Sequence, residues 1–216
     1  MVERRELKSS EAKSRAESLQ LIGGALAVDF VNTVGDRKAE LVSEHLSDYR
    51  DLVAWSRHAG ILGPCAAQQL LLDAASREKE AARVYRRALA LREALYRIFF
   101  ASAAGLKPQL TDLGLLNEIL AEAMSHARLA NVEPGYAWDW SDDADGLGQM
   151  LYPIARSAAD MLTSGHLARL RECQDDECGW LFIDTSKNHS RRWCSMEDCG
   201  NRAKARRHYR RARSSG

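Results

Sequence analysis

Apolar residues recur at helical spacing from about residue 19 onward. In the segment 19–34, LQLIGGALAVDFVNTV, Leu26, Phe30 and Val34 lie four positions apart and would share one face of a helix. Val28, Phe30 and Val34 would equally share one face of a strand. We predict a helix for this segment, and a strand is the alternative.

Three further helices are predicted next along the chain. Residues 47–59 begin with Ser47 or Asp48, either of which can cap a helix. Residues 63–104 open on a Gly-Pro pair and read as one long helical stretch, and 111–130 form another helix. The second half of the long stretch is amphipathic, and its inward face carries four large apolar residues: Leu91, Leu95, Ile98 and Phe99.

The pattern changes after this last helix. The segment VEPGYAWDW alternates in the way that a strand does, with aromatic side chains on one face: Tyr136, Trp138 and Trp140. The segment 142–145, with three aspartates, then turns the chain into a helix over about 147–163. Ser164-Gly165 marks the expected end of the domain.

These elements predict three parts: a flexible lead segment at 1–18, a mostly helical domain with a small β element at 19–165, and a small module at 166–216. The lead segment is charged throughout and lacks the apolar core of a secretion signal. No apolar run approaches the roughly 20 residues that cross a bilayer. We therefore expect a cytoplasmic, nucleoid-associated protein without a membrane partner.

Four of the five cysteines lie near the C-terminus, spaced Cys173-x4-Cys178-x15-Cys194-x4-Cys199. Two thiol pairs joined by a short stretch are typical of a tetrahedral zinc site, and a reducing compartment disfavours disulfides. An iron–sulfur cluster is a minor alternative. Because four cysteines leave no open coordination position, we predict one structural Zn²⁺. Cys65 is expected to pack as a small apolar side chain.

The segments around the cysteines predict a β-hairpin followed by a helix. Residues 180–184 alternate as a strand, 185–189 read as a turn, and 191–194 read as the returning strand. Trp180, Phe182 and Trp193 would cover the metal. Since a structural zinc supplies folding free energy, we expect zinc loss to unfold this module and leave the helical domain folded.

The helix after Cys199 is strongly basic. Residues 200–216 hold seven Lys or Arg and no acid, and the chain from His166 onward carries a net charge of +5 within a total of +1. A partner that supplies phosphate would complete such a helix, and a solvated basic tail is the alternative. Ala205, Tyr209 and Ala212 are expected to pack inward. We predict nucleic-acid contacts from Arg191, Arg192, Arg202, Lys204, Arg206, Arg207, Arg210 and Arg211.

The helical domain sets a few polar residues among apolar positions. A candidate pocket for a small-molecule effector would be formed by Asp29, Asn32, Arg92 and Asn117. The alternative is that these groups satisfy one another structurally, as buried polar groups usually do. The sequence has no HExxH pair, no phosphate-binding glycine loop and no GxSxG motif, so we do not expect an enzyme.

The cysteine-rich segment resembles the CGNR zinc-finger family, through Cys178-Gly-Trp-Leu-Phe-Ile-Asp, Arg191-Arg-Trp-Cys and the tetrad Cys199-Gly-Asn-Arg202. In that family the finger follows a helical domain called ABATE, described as a putative stress-induced transcription regulator. Asp29-Phe-Val-Asn-Thr33, Ala90-Leu-Arg-Glu-Ala-Leu95 and Leu116-Asn117 are similar to that domain. The resemblance implies a stress-response regulator that binds DNA.

The expected fold is therefore mainly α with a small β element, followed by a treble-clef-like zinc finger made of a β-hairpin plus a helix. The expected function is a transcription regulator that binds double-stranded DNA, with a helical domain that senses an effector or forms a homodimer. The alternatives are an RNA-binding zinc protein and a zinc-stabilised protein-interaction module with a ligand-binding N-terminal domain.

Overall fold

The computed structural model describes residues 15–140 and 146–214, without the side chains of residues 15, 210, 211 and 214. The α-helices of this described part are α1 (Leu26–Val31), α2 (Tyr49–His58), α3 (Pro64–Ser76), α4 (Glu78–Ala103), α5 (Leu110–His126), α6 (Leu151–Thr163) and α7 (Asn201–Ser214). The strands form three antiparallel pairs: β1 (Val34–Gly35) with β2 (Ser43–Glu44), β3 (Ala127–Val132) with β4 (Gly135–Trp140), and β5 (Leu170–Glu172) with β6 (Leu181–Ile183).

Helix α4 lies at the centre of the helical domain. The four residues predicted to face inward, Leu91, Leu95, Ile98 and Phe99, are fully buried, and α1, α2, α3 and α5 pack against α4. Helix α2 begins where its sequence indicates, because the Asp48 carboxylate accepts a hydrogen bond from Asp51 N at 3.0 Å. The amphipathic pattern thus places the core correctly. No helix in the described residues is long and apolar enough to cross a membrane.

Several predicted bounds are wrong. The segment 19–34 forms only the short helix α1 and then enters β1, so both readings of its pattern apply to different parts of it. The stretch 63–104 is divided into α3 and α4 at Arg77, whose guanidinium is held by Glu80 at 2.9 and 2.8 Å. Neither Gly nor Pro stands there, so the sequence carries no breaker signal. Cys65, near the start of α3, is exposed and does not pack inward.

The predicted strand at Gly135–Trp140 is present as β4, but its partner was missed. Helix α5 ends at His126 and does not run to 130, because 127–132 form β3. Leu129 lies opposite Trp138 in the register of this pair. The segment 142–145 lies outside the described residues, and α6 begins at Leu151.

The chain on either side of residue 165 shares one hydrophobic core. Leu170, Leu181 and Ile183 of β5 and β6 are buried in the same cluster as the apolar residues of α1, α4 and α6. At the other end, Arg15–Ser18 form a 3-10 turn against α2, with Ala16 buried, so the described fold begins before the expected boundary at 19. Residues 1–14 of the expected lead segment lie outside the described residues.

Candidate metal centre and cationic helix

The four C-terminal cysteines form a closed cluster of thiols. Their Sγ atoms all lie within 4.8 Å of one another, and all four residues are buried. The Sγ atoms of Cys178 and Cys194 are 3.6 Å apart, and those of Cys194 and Cys199 are 3.5 Å apart. A tetrahedral zinc with Zn–S bonds of about 2.3 Å requires separations of about 3.8 Å. The cluster therefore fits one Zn²⁺, which is structural because four thiolates fill its coordination.

The first ligand pair lies on the loop 173–178, the first ligand loop, which connects β5 to β6. Cys173 N donates to Trp180 O at 2.8 Å and closes the base of the loop. Gly179 then turns the chain at φ +72°, and a Cβ at this position would lie 2.8 Å from Arg37 Cβ. Only glycine allows both the left-handed turn and the close approach.

The second ligand pair lies on the turn 194–199, the second ligand turn, which leads directly into α7. Ser195 Oγ accepts a hydrogen bond from Asp198 N at 3.2 Å and fixes the start of the helical turn. Cys194 N donates to Cys173 Sγ at 3.4 Å, so the two pairs are tied before any metal is considered. Burial raises the pKa of the Cys199 thiol, and a hydrogen bond from Arg202 at 3.1 Å opposes this rise and favours the thiolate.

The finger contains a hairpin and a helix as predicted, but the hairpin uses different strands. Strand β6 pairs with β5, upstream of Cys173, and not with 191–194, which forms no strand. Asp184, buried at the end of β6, accepts bonds from Ser186 N and Arg191 N at 2.9 Å and folds the intervening residues into a loop. Phe182, Trp180 and Trp193 pack around the cysteines, as predicted. Ile22 also packs there, which was not predicted.

The residues after β1 bind the first ligand loop to the helical domain through hydrogen bonds. Arg37 N donates to Cys178 O at 2.9 Å, and Lys38 N donates to Glu177 O at 3.0 Å. Lys38 Nζ reaches Cys173 O at 3.0 Å. The Arg37 guanidinium in turn pairs with Glu93 of α4 at 2.8 Å. These contacts could not be predicted from the sequence, because the bonded residues of the two segments are more than 130 positions apart.

Helix α7 is anchored by two of its arginines. Arg206 pairs with Asp175 and lies 3.5 Å from Asp176, and Arg202 lies 3.5 Å from Asp175. Asp175 is almost fully buried in the first ligand loop. The tail is free of acids in sequence, but the fold brings acids to it. Arg202 and Arg206, both predicted to contact nucleic acid, form ion pairs within the chain, and their contact with nucleic acid stays a prediction.

The other predicted cations divide into three groups. Arg191 donates to Trp193 O at 2.9 Å and to Cys194 O, and Arg192 donates to Gln174 at 2.6 Å. Lys204 and Arg207 are exposed, as is Arg213, which the prediction did not include. Arg210 and Arg211 lie on α7, and their side chains are outside the described set. The expected packing stripe is wrong, because all of its members are exposed: Ala205, Tyr209 and Ala212.

The candidate effector pocket in the helical domain is not assembled. Asp29 accepts a hydrogen bond from Gly23 N at 2.7 Å. Asn32 is buried and exchanges two bonds with the Leu181 backbone, at 2.8 and 2.9 Å. Arg92 is buried and forms a two-pronged pair with Glu44 at 2.7 Å, while Asn117 is exposed on α5. The first three residues hold the fold together, and the fourth lies at the surface.

Comparison with known families agrees with this geometry. Residues 24–165 match the ABATE family, described as "Putative stress-induced transcription regulator", and residues 169–212 match the CGNR zinc finger. No curated protein matches the chain. The two matches are a regulator family and a zinc-finger family, and neither is a family of enzymes. The first match spans about two thirds of the sequence. The chain therefore belongs to the ABATE family and carries a CGNR zinc finger after that family's domain.

Proposed function

We propose that the protein is a transcription regulator that binds double-stranded DNA through the exposed face of α7. One observation carries the proposal: Lys204, Arg207 and Arg213 are exposed and pair with no acid in the described residues, while Arg202 and Arg206 fix the helix to the zinc centre. A rigidly held helix with unpaired cations is suited to phosphate contact. The regulator family to which the chain belongs supports the same role.

The zinc centre positions this helix. Cys199 lies in the turn that opens α7, and Asp175 of the first ligand loop holds its first two turns. Metal, loop and helix therefore form one unit, and the outward cations are presented at a fixed angle to it. The major groove of B-DNA is wide enough to admit an α-helix. We assign phosphate contacts to Lys204, Arg207 and Arg213, with Arg210 and Arg211 as further candidates from their place on the helix.

The experiment measures DNA binding by the zinc-loaded full chain through fluorescence anisotropy at several salt concentrations. The variant Lys204→Ala/Arg207→Ala/Arg213→Ala should weaken binding and lower the slope of log K against log salt by about 2 to 3, since each phosphate contact contributes roughly 0.9. The matched control is Lys79→Ala/Arg83→Ala/Arg86→Ala, which removes one lysine and two arginines from the exposed face of α4. Equal slopes for the two variants would count against the proposal.

One observation favours RNA as the second candidate partner. Tyr209 lies 71% exposed among the cations of α7, where its ring can stack on an unpaired base. Competition between duplex DNA and single-stranded RNA separates the two readings. Tighter RNA binding that Tyr209→Ala abolishes would transfer the proposed function to RNA. A DNA preference that Tyr209→Ala leaves intact would support the regulator.

The remaining parts of the proposal concern the setting of the protein. We propose that the protein acts in a stress response, in line with the family description. We also propose that it is cytoplasmic and nucleoid-associated and that it binds DNA as a homodimer. Two-fold symmetric operators are common partners of dimeric DNA readers. Sequencing of genomic fragments bound by the protein tests both points, because a dimer should select a motif with two-fold symmetry.

A further inference from the structure

A groove of about 610 Å³ lies where the helical domain meets the second ligand turn. One wall is formed by the segment 18–22 before α1 and by the β1–β2 hairpin. The other wall is formed by the second ligand turn and the start of α7. Its volume is within the range of small-molecule sites, which occur preferentially between domains. None of the residues of the predicted effector pocket lines this groove.

The apolar side chains of the groove are fixed in position by hydrogen bonding and packing to the rest of the fold. Leu19, Ile22 and Trp180 line it. Trp180 Nε1 donates to Val34 O at 2.8 Å, which fixes the indole against β1. Ile22 and Trp180 also pack against the four cysteines, so this lining is continuous with the cover of the metal. A ligand here would contact both the helical domain and the metal-binding unit.

The polar part of the groove contains three carboxylates. Asp36 lies on one wall, and Glu197 and Asp198 lie on the other. Within the described residues, none of these three carboxylates forms an ion pair with a lysine or arginine. Asp36 accepts a hydrogen bond from Ser43 at 2.6 Å, and Asp198 accepts one from Gln20 at 3.4 Å. A carboxylate has about four acceptor positions, so each can take further donors.

The zinc centre adds to this negative potential. Cys178, Cys194 and Cys199 line the groove, and a zinc bound by four thiolates carries a net charge of about −2. Arg202 lines it too, but its guanidinium already donates to Cys199 Sγ at 3.1 Å and lies 3.5 Å from Asp175. The charges of the three carboxylates and the metal centre outweigh this one committed cation. Such a lining repels anions and favours a cation.

We propose that this groove is a binding site for a small organic cation, an ammonium or guanidinium compound with a short apolar body. The carboxylates on the two walls receive its charged donors, and the apolar lining with the Trp180 indole contacts its body. The site bridges the helical domain and the second ligand turn, which opens α7. It is independent of the proposed nucleic-acid function, since binding of the cation needs no nucleic acid.

Isothermal titration calorimetry of the zinc-loaded full chain with agmatine tests the site. Agmatine carries a guanidinium and an ammonium on a short aliphatic chain. We expect agmatine to bind, and pentane-1,5-diol and glutarate, of similar size, not to bind. The absence of heat with agmatine, or equal binding of the diol, would overturn the proposal. Failure here would leave the DNA proposal standing, because no nucleic acid is present.

Variants on both walls locate the binding. Glu197→Gln/Asp198→Asn should weaken agmatine binding about tenfold, which corresponds to the loss of two charge contacts. Asp36→Asn should weaken it several-fold from the opposite wall, and asparagine tolerates the left-handed φ of 52° found there. The matched control is Glu78→Gln/Glu118→Gln, which removes two exposed acids from α4 and α5. An equal loss in this control would show general charge attraction and would overturn the site. Zinc content is measured in every variant as the check of folding.

Discussion

Asp175 shows how one buried side chain decides the role of its neighbours. Its carboxylate is almost inaccessible to solvent, and it receives Arg206, Arg202 and the N–H of Glu177. A buried carboxylate left without cations is costly, so the pairs are required once the loop has folded around it. The arginines of α7 that look alike in sequence therefore have different tasks.

We expect Arg206→Ala to lower the free energy of unfolding of the zinc-loaded chain by about 2 kcal/mol, because it strips Asp175 of its main partner. Zinc should also pass faster to a competing chelator. The adjacent exposed residue supplies the control, since Arg207→Ala makes the same chemical change on the same helix. It should alter stability by no more than about 0.5 kcal/mol. Urea unfolding measures both, and similar losses would refute the anchoring role.

Ionisation of the Asp29 carboxyl lowers the free energy of unfolding, and the size of this effect depends on pH. Burial raises its pKa to about 6, and the hydrogen bond from Gly23 N opposes the rise. In the unfolded chain the pKa is about 3.9, so the folded state holds the proton more tightly. Stability contributed by this group therefore falls as the pH rises from about 4 to about 6. Above that window its ionisation costs roughly 3 kcal/mol.

Asp29→Asn keeps an oxygen acceptor for Gly23 N and removes the charge. We expect the variant to be more stable than the wild type near pH 7, by up to about 3 kcal/mol, with the difference vanishing near pH 4. Urea unfolding of both proteins at the two pH values checks this, and the comparison cancels any acid release of zinc common to both. If the variant is less stable than the wild type near pH 7, the contacts of the Asp29 carboxylate stabilise the fold by more than its desolvation destabilises it.

At the scale of elements, Asn32 joins the end of α1 to the start of β6. Its side-chain amide donates to Leu181 O and accepts from Leu181 N, and all three groups are buried. Strand β6 is only three residues long, and this amide acts as a substitute for a neighbouring strand on that side. The pair of bonds aligns the first ligand loop with the helical domain.

Asn32→Ala should destabilise the protein by about 3 kcal/mol, because it leaves a buried N–H and a buried carbonyl without partners. Asn117→Ala is the matched control, since Asn117 is exposed on α5 and alanine is the better helix former. It should be neutral or stabilise by a few tenths of a kcal/mol. Thermal unfolding of both variants measures the contrast, and a mild effect of Asn32→Ala would mean that β6 is held by other contacts.

Elements that depend on local pattern were predicted well, and pairings between distant segments were not. The inward face of α4 and the cap of α2 follow from helical spacing and a single carboxylate. The partner of β6 could not be read, because β5 and the returning segment 191–194 both suit a strand beside it. The four ligands were predicted because a spacing of paired cysteines is itself a chemical signal. The exposed arginines of α7 and the arginines that form ion pairs could not be distinguished from the sequence, because the acids that make these pairs lie on a distant loop of the chain.

At the scale of the whole molecule, the finger shares its hydrophobic core with the helical domain. Residues of β5 and β6 complete the core around α1, and Arg37 and Lys38 hold the first ligand loop by its backbone. The shared core leads us to expect that zinc loss destabilises the helical domain as well, in contrast to the expectation drawn from the sequence. We therefore expect the free energy of zinc binding to stabilise both parts of the chain.

Chelation of zinc, or Cys194→Ser, should lower the melting temperature of the whole chain by about 10 °C or more in a single transition. A structural zinc supplies several kcal/mol, and each kcal/mol shifts a chain of this size by roughly 2 to 4 °C. Hydrogen exchange should rise in α1 together with β6. Cys65→Ser is the control, since Cys65 is exposed and outside the cluster. Unchanged protection of α1 after zinc removal would show two independent folding units.

The shared core also limits what can be done with the finger alone. Leu170, Leu181 and Ile183 are buried by the helical domain, so a fragment cut at residue 166 would turn all three toward water. Such a fragment would tend to aggregate even when fully loaded with metal. We therefore do not expect the finger to fold when it is transferred alone to another protein. Such a transfer would need residues that replace the contacts of α1 and of Asn32. A failure of the excised fragment to bind a nucleic acid would say nothing about the intact chain.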